Sequence, residues 1–368
     1  MTIDVIDLAG DAFTRGVTFG AARRSQIEAF NSDWLESLRA VGIPSPRTYV
    51  AEMLRHTDFL TAIRKHAPDL LEEVRGIAVG AIQPVELLLA SQFMDEEWAY
   101  RRRLQAHAET PQKCSSVAVT RNGLTWIGQN MDLGGYTDGH QILTRIAPHG
   151  VEASALIFTI GGMIGLMGVN ARGVGVCVNF LPQLPNSSQG LPVAFVIRRL
   201  LQEGSVTAAA GVVSTLPHAT GQHYLIADPR SVRSFEASAV GVIEYHSPDP
   251  SKVLHTNHPV AGDTGDGPAR ADSVDSVARL RALTHRLMNA DPDLDAIKAA
   301  LCSRDDPHHP VCRVRSANER VNHPAGTTTF TTGSMISALE PGSPMIDVWV
   351  SSGPPNLRGY EHMCLPKA

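Results

Sequence analysis

The sequence is poor in aromatic residues and in charge. Aromatic residues make up 5% and charged residues 19% of the 368 positions, and the formal net charge is −5. A chain with this slightly acidic balance lacks the basic patches with which proteins bind the phosphate backbone of nucleic acids. Its five cysteines are odd in number and spread over the whole chain, unlike the disulfide framework of a secreted domain. We therefore expect a cytoplasmic protein that binds no nucleic acid.

Long hydrophobic runs are missing as well. The most apolar stretch, residues 151–169, is broken by glycines and a glutamate, whereas a membrane helix needs about 18 or more apolar residues in succession. The first residues include acids but no basic segment ahead of an apolar core, so a secretory signal is not expected. No glycine-rich phosphate loop follows a predicted strand, which disfavours nucleotide binding. The sequence thus predicts neither a membrane partner nor a cofactor.

The chain changes character near residue 110. Before that point apolar residues recur at helical spacing, and glycine or proline ends the segments. The predicted helices of this part are residues 21–41, 49–66, 69–80 and 84–104. After Pro111 short segments rich in β-branched and aromatic residues take over, separated by turn signals such as Asn122-Gly123.

These later segments predict many strands and a few helices. The predicted strands are residues 115–119, 124–129, 141–146, 153–159, 163–169, 174–180, 222–227, 231–237, 240–245, 327–336 and 345–350. The predicted helices are residues 193–201, 206–216 and 276–288, the last preceded by a loop from residue 261. Runs of strands broken by helix pairs are typical of an α+β layered fold and not of alternating βαβ units. We expect a helical N-terminal part followed by a large antiparallel β part.

Cys114 lies at the junction of the two parts, where a polar loop opens a predicted strand. Free cysteines are most often small buried hydrophobes, so this local context alone favours a structural cysteine. The next residues are Ser-Ser-Val-Ala-Val, followed by the turn Asn122-Gly123 and by Trp-Ile-Gly-Gln-Asn-Met-Asp at residues 126–132. One hairpin over this segment brings Asp132 back beside Cys114.

This segment resembles the start of the catalytic chain in N-terminal-nucleophile (Ntn) hydrolases. It is most similar to the penicillin acyltransferase-like, self-cleaving cysteine family, and more distantly to the bile-salt and penicillin-V amidases. Four further segments resemble that family in the same order along the chain, namely residues 13–20, 173–180, 191–201 and 253–259. Gln129 stands where the bile-salt and penicillin-V amidases carry an arginine, which favours the acyltransferase-like branch.

The resemblance implies a four-layer αββα Ntn-hydrolase sandwich that activates itself by cleavage between Lys113 and Cys114. Residues 1–113 are then a helical α-chain and residues 114–368 the catalytic β-chain, and both chains remain associated in one fold. Cys114 is expected to be the nucleophile of the mature enzyme. No metal site is implied.

The resemblance also assigns expected roles to other residues. Asp132 is expected to orient and balance the new ammonium group of Cys114, and Asn257 to donate its side-chain amide to the oxyanion. Without Cys114, the local sequence favours an exposed turn aspartate at 132, and Asn257 is equally typical of a turn cap before a His-Pro pair. Weaker candidates for substrate or oxyanion contacts, some of which equally suit plain strand positions, are Ser116, Asn179, Leu133 and Gly134.

The chemistry expected of Cys114 needs no histidine. A free N-terminal amine has a pKa of about 7.7–8.0, so it accepts the proton of its own thiol. The thiolate attacks an amide carbonyl, a thioester acyl-enzyme forms, and water or an amine completes the cycle. We favour hydrolysis of a linear amide in a small N-acyl or aminoacyl substrate, because water is always available to a thioester.

Three alternatives remain open from the sequence. An acyltransferase of the same family takes its acyl group from an acyl-coenzyme A thioester, although no site for that second substrate is visible. A zinc-dependent hydrolase needs three or four ligands in suitable geometry, and the clusters His255/His258 and His308/His309 with Cys312 lack a strong zinc motif. The third alternative is a non-enzymatic binding protein that keeps the fold, and self-association of the chain is left undecided.

Overall fold

The computed structural model describes residues 2–104, 113–147, 149–150, 153–261, 273–288, 291–316 and 328–368. Its helices are α1 (Ala12–Ala22), α2 (Arg24–Ala40), α3 (Pro46–His56), α4 (Phe59–His66), α5 (Pro68–Ala81), α6 (Val85–Ser91), α7 (Met94–Leu104), α8 (Val193–Leu200), α9 (Val206–Thr215), α10 (Val274–Leu287), α11 (Leu294–Leu301) and α12 (Pro355–Arg358). Its strands are β1 (Val5–Leu8), β2 (Ser115–Arg121), β3 (Leu124–Gly134), β4 (Gln141–Ile146), β5 (Ala155–Ile160), β6 (Met167–Asn170), β7 (Gly175–Phe180), β8 (Gln222–Ala227), β9 (Val232–Ser238), β10 (Gly241–Tyr245), β11 (Lys252–His255), β12 (Thr329–Leu339), β13 (Met345–Ser351) and β14 (Glu361–Pro366).

The strands form two sheets that pack face to face. The larger sheet has the strand order β1-β4-β5-β6-β7-β8-β9-β10, and the smaller sheet has the order β11-β2-β3-β12-β13-β14. Side chains of one sheet pack against bare backbone of the other. A Cβ atom added at Gly333 of β12 would lie 2.0 Å from the Phe158 ring of β5, and one at Gly175 of β7 would lie 2.7 Å from Ile127 of β3. The two sheets therefore enclose one continuous apolar core.

Helices cover the outer face of each sheet. Helices α8 and α9 contact β7, β8 and β9 of the larger sheet. On the smaller sheet, Val117 and Val119 of β2 pack in one apolar cluster with Leu283 of α10 and Ile297 of α11, whereas Ala118 between them belongs to the core shared by the sheets. This alternation is the two-residue period of a strand buried on both faces. The layers therefore run α, β, β, α, and the predicted α+β fold with αββα layering is confirmed.

Helices α1 and α5 cross at backbone contact distance. A Cβ atom on Gly16 of α1 would lie 2.1 Å from the carbonyl oxygen of Glu73 in α5. Gly20, Gly76 and Gly80 likewise leave no room for a side chain between the two backbones. Gly16 and Gly20, in the similar segment 13–20, therefore allow α1 to pack closely against α5 and so fix its position in the helical layer.

Two predicted helices are each divided in the structure. The segment 49–66 is split at Thr57 into α3 and α4, and the segment 84–104 is split at Gln92 into α6 and α7. Apolar periodicity does not reveal such breaks, because the buried stripe continues across them.

The N-terminal part is not purely helical, and the β part is not purely antiparallel. Strand β1 pairs in parallel with β4 and forms an edge of the larger sheet. The elements that the sequence does not predict are α1, α11, α12, β1, β11 and β14. Most of the predicted loop from residue 261 lies outside the described residues. Among the described helices, none has the length and apolar character needed to cross a membrane.

Candidate active site

A hairpin of β2 and β3 brings Cys114 next to Asp132. The turn between the strands uses Asn122 and Gly123, with φ angles of 52° and 79°, the left-handed region that favours these two residue types. The register pairs Ser115 with Asn130, so the preceding residues meet the end of β3. The Cys114 Sγ lies 3.9 Å from the Asp132 carbonyl oxygen, to which the Lys113 amide donates at 3.4 Å.

The side chain of Asp132 is fully buried, and the Thr331 hydroxyl lies close to it. The nearest cation in an ion pair is the Arg313 Nε at 3.7 Å. Burial raises the pKa of this carboxyl to about 7, although Arg313 and Arg279 act in the opposite direction.

The thiol of Cys114 is uncharged in the uncut chain. Its residue is 3% exposed, and burial together with the Asp132 charge raises the pKa of the thiol to about 12. A thiol with this pKa contributes almost no thiolate at neutral pH. Formation of a thiolate at Cys114 therefore requires a local base.

Arg279 joins the nucleophile to Asn257. Its Nη1 donates to the Cys114 carbonyl oxygen at 2.5 Å and to the Ser115 hydroxyl at 3.0 Å, and its Nη2 donates to the Asn257 Oδ1 at 2.9 Å. Its Nε donates to Asp275, one helical turn earlier on α10, at 2.9 Å. Arg279 is fully buried, so its guanidinium is a fixed clamp between three segments.

Asp275 completes this cluster with Arg313. Burial raises the pKa of Asp275, but Arg279 and Arg313 outweigh burial and lower it to about 2. Arg313 donates to Asp275 and also faces Asp132. The two arginines and two aspartates therefore form a charge cluster directly behind the nucleophile.

Neither Arg279 nor Arg313 is predicted from the sequence to be a site residue. Arg279 lies on the buried stripe of α10, together with Ser276, Leu283 and Leu287. That helical spacing is a usable signal, because a charged residue in an apolar stripe has to find a partner. Arg313 gives no such signal, since it belongs to a basic, irregular segment that predicts an exposed loop.

Asn257 lies in the cluster with one donor already in use. Its Nδ2 donates to the Phe180 carbonyl oxygen at 2.9 Å, and its Oδ1 accepts from Arg279. A side-chain amide has two N–H groups, so one N–H of Asn257 remains for a further acceptor. The residue is 5% exposed, which excludes the simple surface turn cap.

The structure brings Ser116 and Asn179 together. The Ser116 hydroxyl donates to the Asn179 Oδ1 at 2.6 Å, and the same oxygen lies 2.8 Å from the His223 Nδ1. The His223 ring stacks on His255, with centroids 3.6 Å apart, and His255 lies 2.9 Å from a Glu236 oxygen. This buried chain of polar groups links the two sheets beside the nucleophile.

The remaining predicted residues fall on different sides of the hairpin. Leu133 lines the same cleft as Cys114, whereas Gly134 faces the ring of Tyr136, 2.8 Å from an added Cβ atom. Gln129, where the amidases carry an arginine, accepts from the Val178 amide at 2.8 Å and donates to its carbonyl at 2.5 Å. It therefore bridges β3 to β7 of the other sheet.

The histidine clusters considered for zinc have other partners. His258 lies 2.7 Å from the Ser276 hydroxyl and His309 lies 3.2 Å from Asp275. Within the described residues, the group of three side chains whose ligand atoms approach one another within 4.8 Å is Asp347, His362 and Cys364 on β13 and β14. These strands lie at the far edge of the smaller sheet. The arrangement does not support zinc chemistry at Cys114.

A mostly apolar cleft lies beside Cys114. It is bounded by the β3 end, by α7 and α8 and by the loop after β5, with Cys114 in its wall. The lining residues are Gln92, Met94, Asp95, Cys114, Met131, Leu133, Met163, Gly165, Leu166, Val178, Phe180, Val193, Ala194, Ile197 and Gln222. A small molecule with an apolar portion fits such a cleft.

Known proteins are similar in sequence to much of this chain. The model of the family described as acyl-coenzyme A:6-aminopenicillanic acid acyl-transferase matches residues 119–329, more than half of the chain. That match includes Asp132, Asn257, Arg279 and Arg313 and begins just after Cys114. The 40 kDa form of the acyl-coenzyme A:6-aminopenicillanic-acid-acyltransferase of Emericella nidulans is 26% identical over 318 residues, covering 86% of this chain and 85% of that protein.

Two solved structures are similar over part of their fold. A mutant conjugated bile acid hydrolase from Clostridium perfringens is 15% identical, with a TM-score of 0.45 over 69% of this chain and 92% of that one. Penicillin V acylase from Agrobacterium tumefaciens is also 15% identical, with a TM-score of 0.37 over 69% of this chain and 86% of that one.

Proposed function

The chain belongs to the acyl-coenzyme A:6-aminopenicillanic acid acyl-transferase family, and from that membership we propose that it is a self-processing cysteine amidohydrolase. Membership confirms the family resemblance and the expectation of an enzyme. The proposed protein cuts its own chain between Lys113 and Cys114. It then hydrolyses a linear amide of a small N-acyl or aminoacyl substrate through a thioester on Cys114. The carrying observation is the position of the buried Asp132 carboxylate, which the hairpin of β2 and β3 holds next to the Lys113–Cys114 bond.

Processing is an N-to-S acyl shift followed by hydrolysis. The Cys114 sulfur attacks the Lys113 carbonyl carbon, the C–N bond breaks, and the thiol proton passes to the departing nitrogen of Cys114. Water then cleaves the thioester, which leaves a carboxylate on Lys113 and a free amine and thiol on Cys114. Arg279 supports this step, because its guanidinium holds the Cys114 carbonyl and so fixes the orientation of the attacking residue.

The new amine of Cys114 supplies a charged hydrogen-bond donor beside Asp132. An ammonium group beside a buried carboxylate favours the charged form of both groups, so the Asp132 pKa is expected to fall on processing. The neutral form of the same amine accepts the proton of the Cys114 thiol, so the thiolate forms without a histidine base. Asp132 thus sets the position of the base, and a base held within hydrogen-bond reach is the first requirement of this chemistry.

The catalytic cycle follows from these positions. The thiolate attacks the substrate carbonyl carbon, and the oxyanion forms within reach of the second N–H of Asn257, whose first N–H is held by Phe180. The C–N bond breaks as the ammonium of Cys114 protonates the leaving amine. Water then attacks the thioester, releases the carboxylic acid and restores the thiol. Loss of one oxyanion donor typically costs about a hundredfold to a thousandfold in rate.

Residues on both sides of the proposed cut contribute to one core. Helix α5 is held to α8 by the ion pair of Glu73 and Arg198, and β1 pairs with β4. These contacts support the proposal that the two chains stay associated after cleavage.

Acyl transfer is the second candidate, and the name of the family and of its 26% identical relative favours it. The same Cys114 thioester then forms from an acyl-coenzyme A, and an amine takes the place of water in the second half of the cycle. The two candidates differ in the acyl donor and the final acceptor, not in the nucleophile.

Trapping of the acyl-enzyme tests the proposal. Purified protein is mixed with a series of N-acyl p-nitroanilides, and the quenched protein is weighed by mass spectrometry while p-nitroaniline release is followed. We expect turnover and an acyl adduct on the fragment that begins at Cys114, both abolished in Cys114→Ala and both retained in the control Cys302→Ala. Undiminished turnover by Cys114→Ala contradicts the proposal. Acyl-coenzyme A-dependent amide formation faster than hydrolysis favours the second candidate.

A further inference from the structure

The cleft beside Cys114 has one polar end in an otherwise apolar wall. Most of its lining is aliphatic, aromatic or thioether. The polar side chains that line it besides the thiol are Gln92, Asp95 and Gln222. What these three groups offer a ligand therefore decides which polar atom a substrate can bring.

The side chain of Gln92 has no hydrogen-bonding group left to offer a ligand. Its Nε2 donates to the Leu88 and Gly162 carbonyl oxygens at 2.9 and 3.2 Å, and its Oε1 accepts from the Ile164 amide at 2.9 Å. Both donors and the acceptor are engaged by the backbone, so this amide is part of the wall.

The hydrogen bonds between Gln222 and its neighbours leave the Gln222 Oε1 without a donor. The Gln222 Nε2 donates to the Asp95 Oδ2 at 2.5 Å and to the Thr220 hydroxyl at 3.1 Å, which fixes the orientation of the amide. The Gln222 Oε1 then has no hydrogen-bond partner in the described part of the chain, although the residue is only 1% exposed. A buried oxygen in this state calls for a ligand that donates.

The polar end is also electronegative. Asp95 is 8% exposed on α7, and its charge reaches the nucleophile, since it contributes to the raised pKa of the Cys114 thiol. Burial, and then Asp95, raise the pKa of the neighbouring Glu96 to about 8. A cationic donor placed here meets a carboxylate and a carbonyl oxygen in a low-dielectric site, where such hydrogen bonds are strongest.

The part of the substrate that occupies the cleft is the acyl part. Cys114 lines the cleft, and the acyl group is the portion that stays bonded to its sulfur while the amine departs. The methionine and aliphatic lining of the cleft suits methylene groups. An acyl chain that is apolar along its length and carries a donor at its end matches both features.

We propose, building on the amidohydrolase function above, that the preferred acyl group carries a primary ammonium that Asp95 and the Gln222 Oε1 bind. The protein is then selective for aminoacyl amides over the corresponding plain acyl amides. Asp95 and Gln222 determine specificity and take no part in bond making.

Matched substrate pairs test the proposal in the processed enzyme. The pairs are p-nitroanilides of β-alanyl and propanoyl, of γ-aminobutyryl and butanoyl, and of ε-aminohexanoyl and hexanoyl groups. The members of a pair differ by the ammonium, and the series covers different distances between that group and the carbonyl carbon. A hydrogen bond to a charged group is worth about 1.5–3 kcal/mol, so for the best pair we expect kcat/KM to favour the ammonium member about tenfold to a hundredfold.

Variants locate the preference. Asp95→Asn is expected to abolish it while hydrolysis of the plain acyl member persists, and Gln222→Met to reduce it less. Glu97→Gln is the matched control, because Glu97 is a buried carboxylate of the same helix that bonds to Tyr49 and Arg101 instead of facing the cleft. It should keep the preference at the wild-type value.

The outcomes separate this proposal from the one on which it rests. Cys114-dependent turnover with equal or higher kcat/KM for plain acyl members overturns the ammonium proposal and leaves the amidohydrolase intact. An ammonium preference that survives in Asp95→Asn overturns it as well. Absence of a Cys114-bound acyl adduct with every pair contradicts both proposals.

Discussion

Two buried carboxylates of this protein differ in how they are satisfied. Glu73 in α5 accepts from Arg198 at 2.6 and 2.9 Å and from Arg15 at 3.2 Å. Asp132 at the end of β3 is just as buried, yet its nearest cation in an ion pair is the Arg313 Nε at 3.7 Å. The first carboxylate completes a charge network that holds helices together. The second is paired less closely, at the position where processing is proposed to create an ammonium group.

The surroundings of the two groups repeat this difference. Around Glu73, α1 and α5 touch backbone to backbone through glycines, and the guanidinium groups are enclosed. Around Asp132, the buried Asn179 Nδ2 and Asn130 Oδ1 lack partners in the described residues. Proteins tolerate such locally unfavourable groups mainly where function needs them. The comparison teaches that burial of charge alone does not mark a site, and that the two carboxylates differ in how closely their cations pair with them.

Removal of Glu73 should have the largest effect on stability. Glu73→Gln leaves two buried guanidinium groups without their shared carboxylate, and breaking a buried pair in this way costs about 3–5 kcal/mol. The free energy of unfolding from urea titration measures the loss. A cost below about 1 kcal/mol would contradict the structural role of the network.

The adjacent Glu72 provides the matched control. It pairs with Arg75 one turn away on the exposed face of the same helix. Surface pairs contribute about 0–1 kcal/mol, so Glu72→Gln should unfold at nearly the wild-type urea concentration.

Substitution of Arg279 should lower kcat/KM more than it lowers the free energy of unfolding. Arg279→Lys keeps the charge but loses the fork that joins the Cys114 carbonyl, Ser115 and Asn257. We expect kcat/KM to fall about tenfold to a hundredfold, since each hydrogen bond of a charged group contributes about 1.5–3 kcal/mol. The control Arg281→Lys lies on the exposed face of α10 and should have wild-type kinetics. Equal rates for both variants would remove Arg279 from the mechanism.

Asp132 should show the smallest stability effect, with the opposite sign to that of Glu73. Its pKa in the uncut chain is raised to about 7 from the usual 3.8, so the folded state holds this proton more tightly than the unfolded state. The stability it contributes is present below pH 4 and is lost as the pH rises through about 7. In the uncleaved Cys114→Ala background, Asp132→Asn should therefore raise the free energy of unfolding at pH 8 by about 1 kcal/mol or more, and the thermal midpoint should rise with it.

The same variant pair provides its own check across pH. The thermal midpoint of the Asp132→Asn chain should change less between pH 5 and pH 8 than that of its Asp132 parent. A midpoint that falls at pH 8 on substitution would mean that Asp132 is satisfied in the uncut chain, and the contrast with Glu73 would disappear.

The sequence predicts the hairpin better than the cluster behind it. Cys114, the Asn122-Gly123 turn and Asp132 lie in one short segment, so local turn chemistry is enough to bring them together. Arg279 reaches the Cys114 carbonyl from 165 residues away, and only the tertiary fold creates that contact. The α+β class is likewise predictable from the order of elements and the αββα layering from the family resemblance, whereas the edge strand β1 is too short to stand out.

Mass spectrometry of the purified protein, with sequencing of the chain termini, is the most direct test of the central claim. The account predicts two co-purifying chains, one ending at Lys113 and one beginning at Cys114, and a single uncut chain for Cys114→Ala. A fully active enzyme whose chain remains uncut would contradict the account. Cleavage at the same bond in Cys114→Ala would contradict it equally.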